Sequence, residues 1–253
     1  MKNILIIGNW KLNGSFLTIR NLISELNEKI HSVDKCQVAI APPLLYLDMI
    51  KKIISSKIKI CAQNVDVHIS GAFTGDISIK MLKEIGAQYV IVGHSERRIY
   101  HKETNKHIAK KFALIKSFNL TPILCIGENA LEKKQGKTRE VCEFQIKSII
   151  NNQGIEIFKN SVIAYEPVWS IGTGKAATPT QIQHVHRFIR SYLEKQDKIV
   201  AKTVIIQYGG SINIDNTAEI ISQPDVDGLL VGKSSLNAEI FSKIVKLAVM
   251  NSI

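Results

Sequence analysis

The sequence predicts an α/β protein in which eight parallel strands alternate with helices in a closed (β/α)8 barrel. Eight short apolar runs recur along the chain, a helical pattern follows each of them, and no linker or composition break divides the sequence. Apolar runs without polar alternation are typical of parallel strands, which are buried on both faces. Eight such units in 253 residues favour closure into a barrel, and a doubly wound open sheet is the structural alternative. We expect residues 1–253 to form a single barrel domain.

The predicted strands are followed by helices that carry their own start and stop signals. Ser78 can cap a short helix that Gly86 then ends, and Pro179 suits the first turn of a longer helix. Strands joined in this way pair in parallel through right-handed crossovers. The predicted strands are residues 4–8, 37–41, 58–63, 88–93, 121–126, 161–165, 204–208 and 227–231.

Composition excludes several classes of protein. The chain is 45% hydrophobic and 22% charged, which is typical of a globular protein, and it has no run of 18 apolar residues that could span a membrane. Its four cysteines, Cys36, Cys61, Cys125 and Cys142, show neither a disulfide-scaffold nor a zinc spacing. We therefore expect no membrane partner and a reducing, cytoplasmic location.

The formal net charge of +11 raises the possibility of a nucleic-acid partner. A nucleic-acid site concentrates Lys and Arg on one element and interleaves them with aromatic residues. Here the lysines are scattered, so we expect a solvated basic surface and no nucleic-acid partner. A basic nucleic-acid-binding or scaffolding dimer stays open as a remote alternative, and its affinity would fall steeply with salt.

Polar and glycine residues follow the predicted strands at the points where those strands end. In a barrel the carboxyl ends of all strands meet on one face, where barrel active sites lie. This position predicts that the residues converge in one site. They are Asn9 and Lys11 after the first strand, Gln63 and Asn64 at the third, His94 after the fourth, Glu166 after the sixth, Ser211 after the seventh and Gly232 after the eighth.

Three of these side chains could together move a proton next to a carbonyl group. A carboxylate placed directly after a buried strand is costly unless it is paired or functional, so Glu166 is a candidate base. His94 directly precedes Ser95, which could cap a new helix. The positive end of the helix dipole disfavours protonation of a histidine at this position, so a neutral His94 could polarise a carbonyl. Lys11 offers a fixed cation for enolate charge or phosphate.

The segment Ser170-Ile171-Gly172-Thr173-Gly174-Lys175 is rich in glycine and lies between stiff flanks. It is not a Walker loop, because Ala176 stands where Ser or Thr is required. We interpret it as a lid that closes and offers backbone N–H groups to a phosphate. Gly209-Gly210-Ser211 and Gly232 follow the seventh and eighth strands, which often hold phosphate in barrel enzymes.

Eight segments in order along the whole chain resemble the triosephosphate isomerase family, whose fold is the TIM barrel. Any one of them could arise by chance, whereas all eight in order are highly specific. They are Gly8-Asn9-Trp10-Lys11, Ala62-Gln63-Asn64-Val65, Ser70-Gly71-Ala72-Phe73-Thr74-Gly75, Gly93-His94-Ser95-Glu96-Arg97-Arg98, Ala164-Tyr165-Glu166-Pro167-Val168-Trp169, Ile171-Gly172-Thr173-Gly174, Tyr208-Gly209-Gly210-Ser211 and Asp227-Gly228-Leu229-Leu230-Val231-Gly232.

The resemblance implies an isomerase of glycolysis and gluconeogenesis that interconverts glyceraldehyde 3-phosphate and dihydroxyacetone phosphate, without a cofactor or a metal. The family is itself a reference case for a glutamate base, a neutral histidine and a closing lid. It also implies a homodimer in which the loop around Phe73-Thr74-Gly75 inserts into the partner. The implied catalytic roles are Glu166 as the base, His94 as the electrophile, and Lys11, Asn9 and Glu96 as electrostatic support. The implied substrate and phosphate site consists of Asn9, Lys11, Gly172, Ser211, Gly232 and Lys233.

This sequence departs from the family pattern at two positions near the phosphate. Lys233 stands where a second glycine is usual, and a left-handed backbone there would cost about 1–2 kcal/mol for a residue with a Cβ atom. Ser170 stands where alanine is common and adds a hydroxyl to the lid. A third departure, Ala176, lies at the far hinge of the lid, where a β-branched residue is common, and this small change is compatible with movement. None of the three changes removes a catalytic group. Another phosphosugar isomerase or epimerase on the same barrel stays open as the alternative function.

Overall fold

The structure is a computed structural model that describes residues 4–171 and 176–252. Its eight strands pair in chain order, all in parallel, and the first strand also pairs with the last. Leu5 lies opposite Gly228 in the pairing that closes the barrel. The predicted (β/α)8 TIM barrel is therefore confirmed, and the open sheet is excluded because an open sheet has no such pairing.

Each predicted strand lies within one residue of the observed one at both ends. The first strand ends at Asn9. We predicted that Asn9 would follow this strand, and it is instead the last residue of the strand. The third strand ends before Gln63 and the fourth ends before Gly93. The strands are β1 Ile4–Asn9, β2 Cys36–Ala41, β3 Ile58–Ala62, β4 Tyr89–Val92, β5 Thr121–Ile126, β6 Val162–Tyr165, β7 Ile205–Tyr208 and β8 Gly228–Val231.

The helices surround the barrel, and several begin at a residue whose side chain caps the first turn. The side chain of Ser78 accepts a hydrogen bond from the N–H of Met81, as the sequence predicts. The helices are α1 Phe16–Ile30, α2 Leu47–Ile53, α3 Ile79–Glu84, α4 Ser95–Tyr100, α5 Asn105–Ser117, α6 Ala130–Lys134, α7 Thr138–Gln153, α8 Pro179–Gln196, α9 Lys198–Thr203, α10 Ile214–Ile221 and α11 Ala238–Asn251. Short 3-10 turns lie at Leu44–Tyr46, Ile155–Phe158, Val168–Ser170 and Lys233–Leu236.

Apolar side chains form two cores, because successive residues of a strand point to opposite faces. Leu5 and Ile7 belong to a cluster of strand residues only, which fills the barrel interior. Ile4 and Ile6 belong to a second cluster that also contains helix residues, so this cluster lies between strands and helices. Both cores make the barrel a rigid support for the residues at its strand ends. Among the described residues, no helix is both long enough and apolar enough to cross a membrane.

A glycine in β1 lets the turn after β8 lie close to the strand. A Cβ atom on Gly8 would lie 2.8 Å from Cβ of Ser235 and 3.3 Å from Cζ of Phe241. Ser235 belongs to the 3-10 turn that follows Gly232. The absence of a side chain at position 8 therefore allows the end of β1 to lie close to the turn that is predicted to hold phosphate. The end of β1 carries Asn9 and leads to Lys11.

Candidate active site

A cavity of about 550 Å³ opens at the carboxyl ends of the strands. It collects residues from five of the strand ends, and these come from parts of the chain that are far apart in sequence. Its lining includes the predicted site residues Asn9, Lys11, His94, Glu166, Ser211, Gly232 and Lys233. Glu96 lies beside it, within contact of both Lys11 and His94. Residues 172–175 of the predicted lid, which include Gly172, lie outside the described residues.

Glu166 is the most deeply buried acid in this cavity, with 2% of the residue exposed. Its Oε1 atom lies 3.3 Å from Nε2 of His94, and its Oε2 accepts a hydrogen bond of 3.4 Å from the N–H of Ser95. Two glycines make room for it. A Cβ atom on Gly127 would lie 1.9 Å from the carbonyl oxygen of Glu166, and a Cβ atom on Gly209 would lie 2.8 Å from Cγ of Glu166. The carboxylate is thus buried and held against the histidine.

His94 is held as a neutral ring that can donate from Nε2. Its Nδ1 atom accepts a hydrogen bond of 3.3 Å from the backbone N–H of Glu96. Because that N–H can only donate, Nδ1 carries no proton, and the ring proton is on Nε2. The Oε2 atom of Glu96 lies 3.5 Å from Nδ1, at the limit of a hydrogen bond, and does not change this assignment.

The same hydrogen bond corrects one prediction about local structure. We expected Ser95 to cap the helix after β4, but Ser95 is the first residue of α4 and His94 is its cap. The imidazole takes the place that a serine or aspartate oxygen usually has at a helix start. The helix therefore fixes the orientation of the ring, with Nδ1 as the acceptor and Nε2 directed towards Glu166.

Lys11 projects into the cavity from an unusual backbone conformation. Its φ is +52°, in the left-handed region that costs about 1–2 kcal/mol for a residue with a Cβ atom. The Asn9 side-chain oxygen accepts a hydrogen bond of 3.1 Å from the Lys11 N–H, and the Gln63 amide donates one of 2.8 Å to its carbonyl. These two bonds satisfy both backbone groups of Lys11. Strain retained in this way is typical of functional positions.

The ammonium group of Lys11 makes an ion pair at the edge of the cavity. Its Nζ lies 2.6 Å from Oε1 of Glu96, and the side chains of the two residues are 27% and 43% exposed. Surface pairs of this kind contribute about 1 kcal/mol or less to stability. The pair therefore serves to aim the lysine into the cavity more than to hold the fold together.

The turns after β7 and β8 form the part of the cavity predicted to hold phosphate. Ser211 follows Gly209-Gly210, and Gly232 leads into the 3-10 turn Lys233–Leu236. Lys233 is absent from the non-glycine residues with positive φ, so the left-handed conformation considered for it is not adopted. Its substitution for glycine therefore carries no backbone strain. Lys233 is one of the residues that line the cavity.

Two residues near the lid, Glu128 and Tyr208, had no role predicted from the sequence. Glu128 is 1% exposed and accepts hydrogen bonds from Trp169 Nε1 at 2.8 Å and from Tyr165 Oη at 3.1 Å. Tyr208 Oη accepts one of 3.3 Å from the Ala177 N–H. Burial raises the pKa of Tyr208 above its ordinary value, so it stays a neutral phenol at neutral pH. Only the position of Tyr208 directly before Gly209-Gly210 gave a signal in the sequence.

Cys125 lies next to Glu166 inside the barrel, where it packs in the cluster of strand residues. The residue is fully buried, and its pKa is raised well above its ordinary value by burial and then by the nearby Glu166 charge. A thiol in this state is a poor nucleophile. All four cysteines are free. In the described ranges, no group of three or more His, Cys, Asp or Glu side chains is arranged to hold a metal ion.

The site therefore joins a buried carboxylate, a neutral ring N–H donor and a lysine cation in one cavity, next to backbone turns suited to an anion. The comparisons with known proteins agree with this geometry. The family model for triosephosphate isomerase matches residues 4–248. The triosephosphate isomerases of Serratia proteamaculans, Erwinia tasmaniensis and Klebsiella pneumoniae are 58%, 56% and 56% identical to this chain, each over 98% of both sequences. The chain belongs to the triosephosphate isomerase family.

Proposed function

We propose that this chain is an aldose–ketose isomerase that interconverts D-glyceraldehyde 3-phosphate and dihydroxyacetone phosphate through an enediol(ate). The observation that carries the proposal is the contact of 3.3 Å between Oε1 of Glu166 and Nε2 of His94, with Lys11 lining the same cavity. A base and an electrophile this close can act on adjacent carbon and oxygen atoms of one small substrate. Residues 1–253 would form one domain for this purpose.

In this mechanism the Glu166 carboxylate removes a proton from the carbon next to the substrate carbonyl. The electrons of the broken C–H bond form the enediolate C=C bond, and the carbonyl oxygen becomes negative. The Nε2–H of His94 and the ammonium of Lys11 stabilise that oxygen, because fixed donors in a dry site need no reorganisation. The protonated Glu166 then returns the proton to the former carbonyl carbon. The adjacent hydroxyl passes its proton through Nε2 of His94 to the former carbonyl oxygen, so that the hydroxyl oxygen becomes the new carbonyl. Asn9 and Glu96 hold Lys11 in position.

The phosphate stays unchanged throughout and serves as the handle by which the substrate is bound. Backbone N–H groups of Gly172, Ser211, Gly232 and Lys233 would hold it, together with the charge of Lys11. Phosphate bound by N–H groups in turns after β7 and β8 is a recurring arrangement in barrels. All the groups that this mechanism needs are supplied by the chain.

Product identity tests the proposal and separates it from the alternative of a phosphosugar epimerase. Purified protein is supplied with D-glyceraldehyde 3-phosphate, and dihydroxyacetone phosphate is quantified with time. We expect its accumulation until the two trioses reach equilibrium, from either starting compound. An epimerase would invert a stereocentre and leave the position of the carbonyl unchanged, so no dihydroxyacetone phosphate would form. The proposed setting is glycolysis and gluconeogenesis in the cytoplasm.

The proposed enzyme acts as a homodimer through the loop around Phe73-Thr74-Gly75. A second cavity of about 630 Å³ adjoins the active site and is lined by Leu12 and Leu44, which are 95% and 41% exposed. Large exposed apolar side chains around a cavity are typical of a protein contact. Phe73, itself 41% exposed, stacks on His68 with ring centroids 3.5 Å apart, which makes the loop a compact unit for insertion.

Sedimentation equilibrium checks the dimer. We expect a mass of twice the 28.2 kDa of the chain for the wild-type protein. Phe73→Asp places a charge in the apolar contact and is expected to yield the monomer at micromolar concentration, because an unpaired buried charge costs several kcal/mol, about 3 or more. A Phe73→Asp variant that keeps the dimer mass would contradict the role of this loop.

A further inference from the structure

The hydroxyl of Ser170 reaches across to the turn that is predicted to hold phosphate. Ser170 ends the 3-10 turn Val168–Ser170 and is fully buried. Its Oγ accepts a hydrogen bond of 3.3 Å from the backbone N–H of Ser211 and lies 3.4 Å from Tyr208 Oη. Gly210 permits this approach, because a Cβ atom there would lie 3.0 Å from Ser170 Oγ and 2.2 Å from Tyr208 Oη.

We propose that Ser170 is a positioning residue that sets the affinity for phosphate because its hydroxyl accepts the hydrogen bond of the Ser211 N–H. The inference rests on the proposed function, in which the same N–H group binds the substrate phosphate. A phosphate oxygen can take this donor only if the Ser170 hydroxyl releases it. Ser170 therefore competes with the substrate for one hydrogen bond.

The competition lowers affinity without blocking binding. A charge-assisted bond from an N–H group to phosphate is stronger than one to a neutral hydroxyl, so phosphate displaces Ser170. The displaced hydroxyl keeps Tyr208 Oη within reach, so it is not left as an unpaired buried group. The net contribution of one neutral hydrogen bond corresponds to a change of about two- to tenfold in the binding constant. We expect an effect of this size on the affinity for phosphate.

Titration with inorganic phosphate measures this competition directly. Calorimetry at one fixed ionic strength compares wild type, Ser170→Ala and Ser170→Cys. Alanine removes the acceptor, whereas cysteine keeps the shape and offers only a weak acceptor. We expect both variants to bind phosphate more tightly than wild type, with Kd lowered about two- to tenfold. Unchanged or weaker binding in both folded variants would overturn the proposal.

A matched control is available in α11. Ser242 is 3% exposed, and its hydroxyl donates to the Glu239 carbonyl at 3.1 Å, on a helix that lines no part of the cavity. Ser242→Ala removes a buried hydroxyl in the same way and is expected to leave the phosphate Kd unchanged. A general loosening of the fold would alter phosphate binding in both alanine variants.

Isomerase kinetics distinguish failure of this inference from failure of the proposed function. If wild type does not convert glyceraldehyde 3-phosphate, the proposed function fails, while the ratio of phosphate Kd values still tests Ser170. If wild type is active, Ser170→Ala should lower KM by about the same two- to tenfold factor and leave kcat nearly unchanged. A purely structural role would instead lower kcat or raise KM.

Discussion

Replacing Glu166 with aspartate is expected to lower kcat by about 100-fold or more and to leave KM nearly unchanged. Aspartate keeps the negative charge but withdraws the carboxylate by one methylene from the substrate carbons. The backbone cannot move to compensate, because the N–H of Glu166 donates a hydrogen bond of 2.7 Å to the Ile126 carbonyl in the barrel wall. Gly127 also packs directly against the Glu166 carbonyl. The lost reach therefore appears in the proton-transfer step.

Steady-state kinetics on the aspartate variant give the measurement. KM is expected to stay nearly unchanged because, in the proposed site, the turns after β7 and β8 bind the substrate phosphate and Glu166 does not. Glu194→Asp, a substitution of the same kind on the exposed face of α8, controls for the loss of a methylene elsewhere and should have wild-type kcat. If Glu166→Asp turned over at the wild-type rate, another group would have to be the base.

Replacing Lys11 with methionine is expected to lower kcat/KM by about 10²–10³-fold, which is the usual loss when one fixed group that stabilises developing charge is removed. Methionine keeps most of the length of the side chain but removes the cation from the cavity. We expect KM to rise as well as kcat to fall, because Lys11 is assigned to both the enediolate oxygen and the phosphate. The thermal midpoint should change little, since the pair with Glu96 is partly exposed to solvent.

Lys29 provides a closely matched control for this substitution. Its Nζ lies 2.6 Å from Oε2 of Glu239, and the two side chains are 32% and 53% exposed, similar to the Lys11 pair. Lys29→Met therefore removes one lysine and one comparable ion pair far from the cavity. It is expected to keep wild-type kcat/KM. Equal losses in the two variants would show that the ion pair, and not the position of Lys11, accounts for the effect.

The barrel could be predicted from the sequence because its strands are buried on both faces. A strand such as β1, in which every residue is buried, produces a short apolar run that periodicity identifies to within one residue. The convergence of the site residues followed from the same prediction, since all strand ends of a barrel meet on one face. Glu166 and His94 lie 72 positions apart in the chain and could be paired only after the barrel had been predicted.

Other features depend on contacts that local sequence does not encode. The helix after β4 begins one residue earlier than its serine suggests, because the His94 ring caps it. Lys11 adopts a positive φ that only the bonds from Asn9 and Gln63 make tolerable. The bond between Ser170 and Ser211 joins residues 41 positions apart. None of these follows from propensity or periodicity.

Lys233 illustrates a concern that only the backbone could resolve. Its position in place of a glycine raised the possibility of a strained left-handed residue in the phosphate turn. The turn is instead a short 3-10 segment, in which a residue with a Cβ atom fits without strain. The departure from the family pattern therefore changes the surface of the cavity and not the path of the chain.

The central claim is that Glu166 moves the proton that converts one triose phosphate into the other. Initial rates of dihydroxyacetone phosphate formation from D-glyceraldehyde 3-phosphate, for wild type and Glu166→Gln side by side, test it most directly. Glutamine has the same shape but cannot act as the base. We expect rapid formation by wild type and a rate about 10²–10⁴-fold lower for the variant, which is the usual contribution of a general base. Equal rates for the two proteins would contradict it.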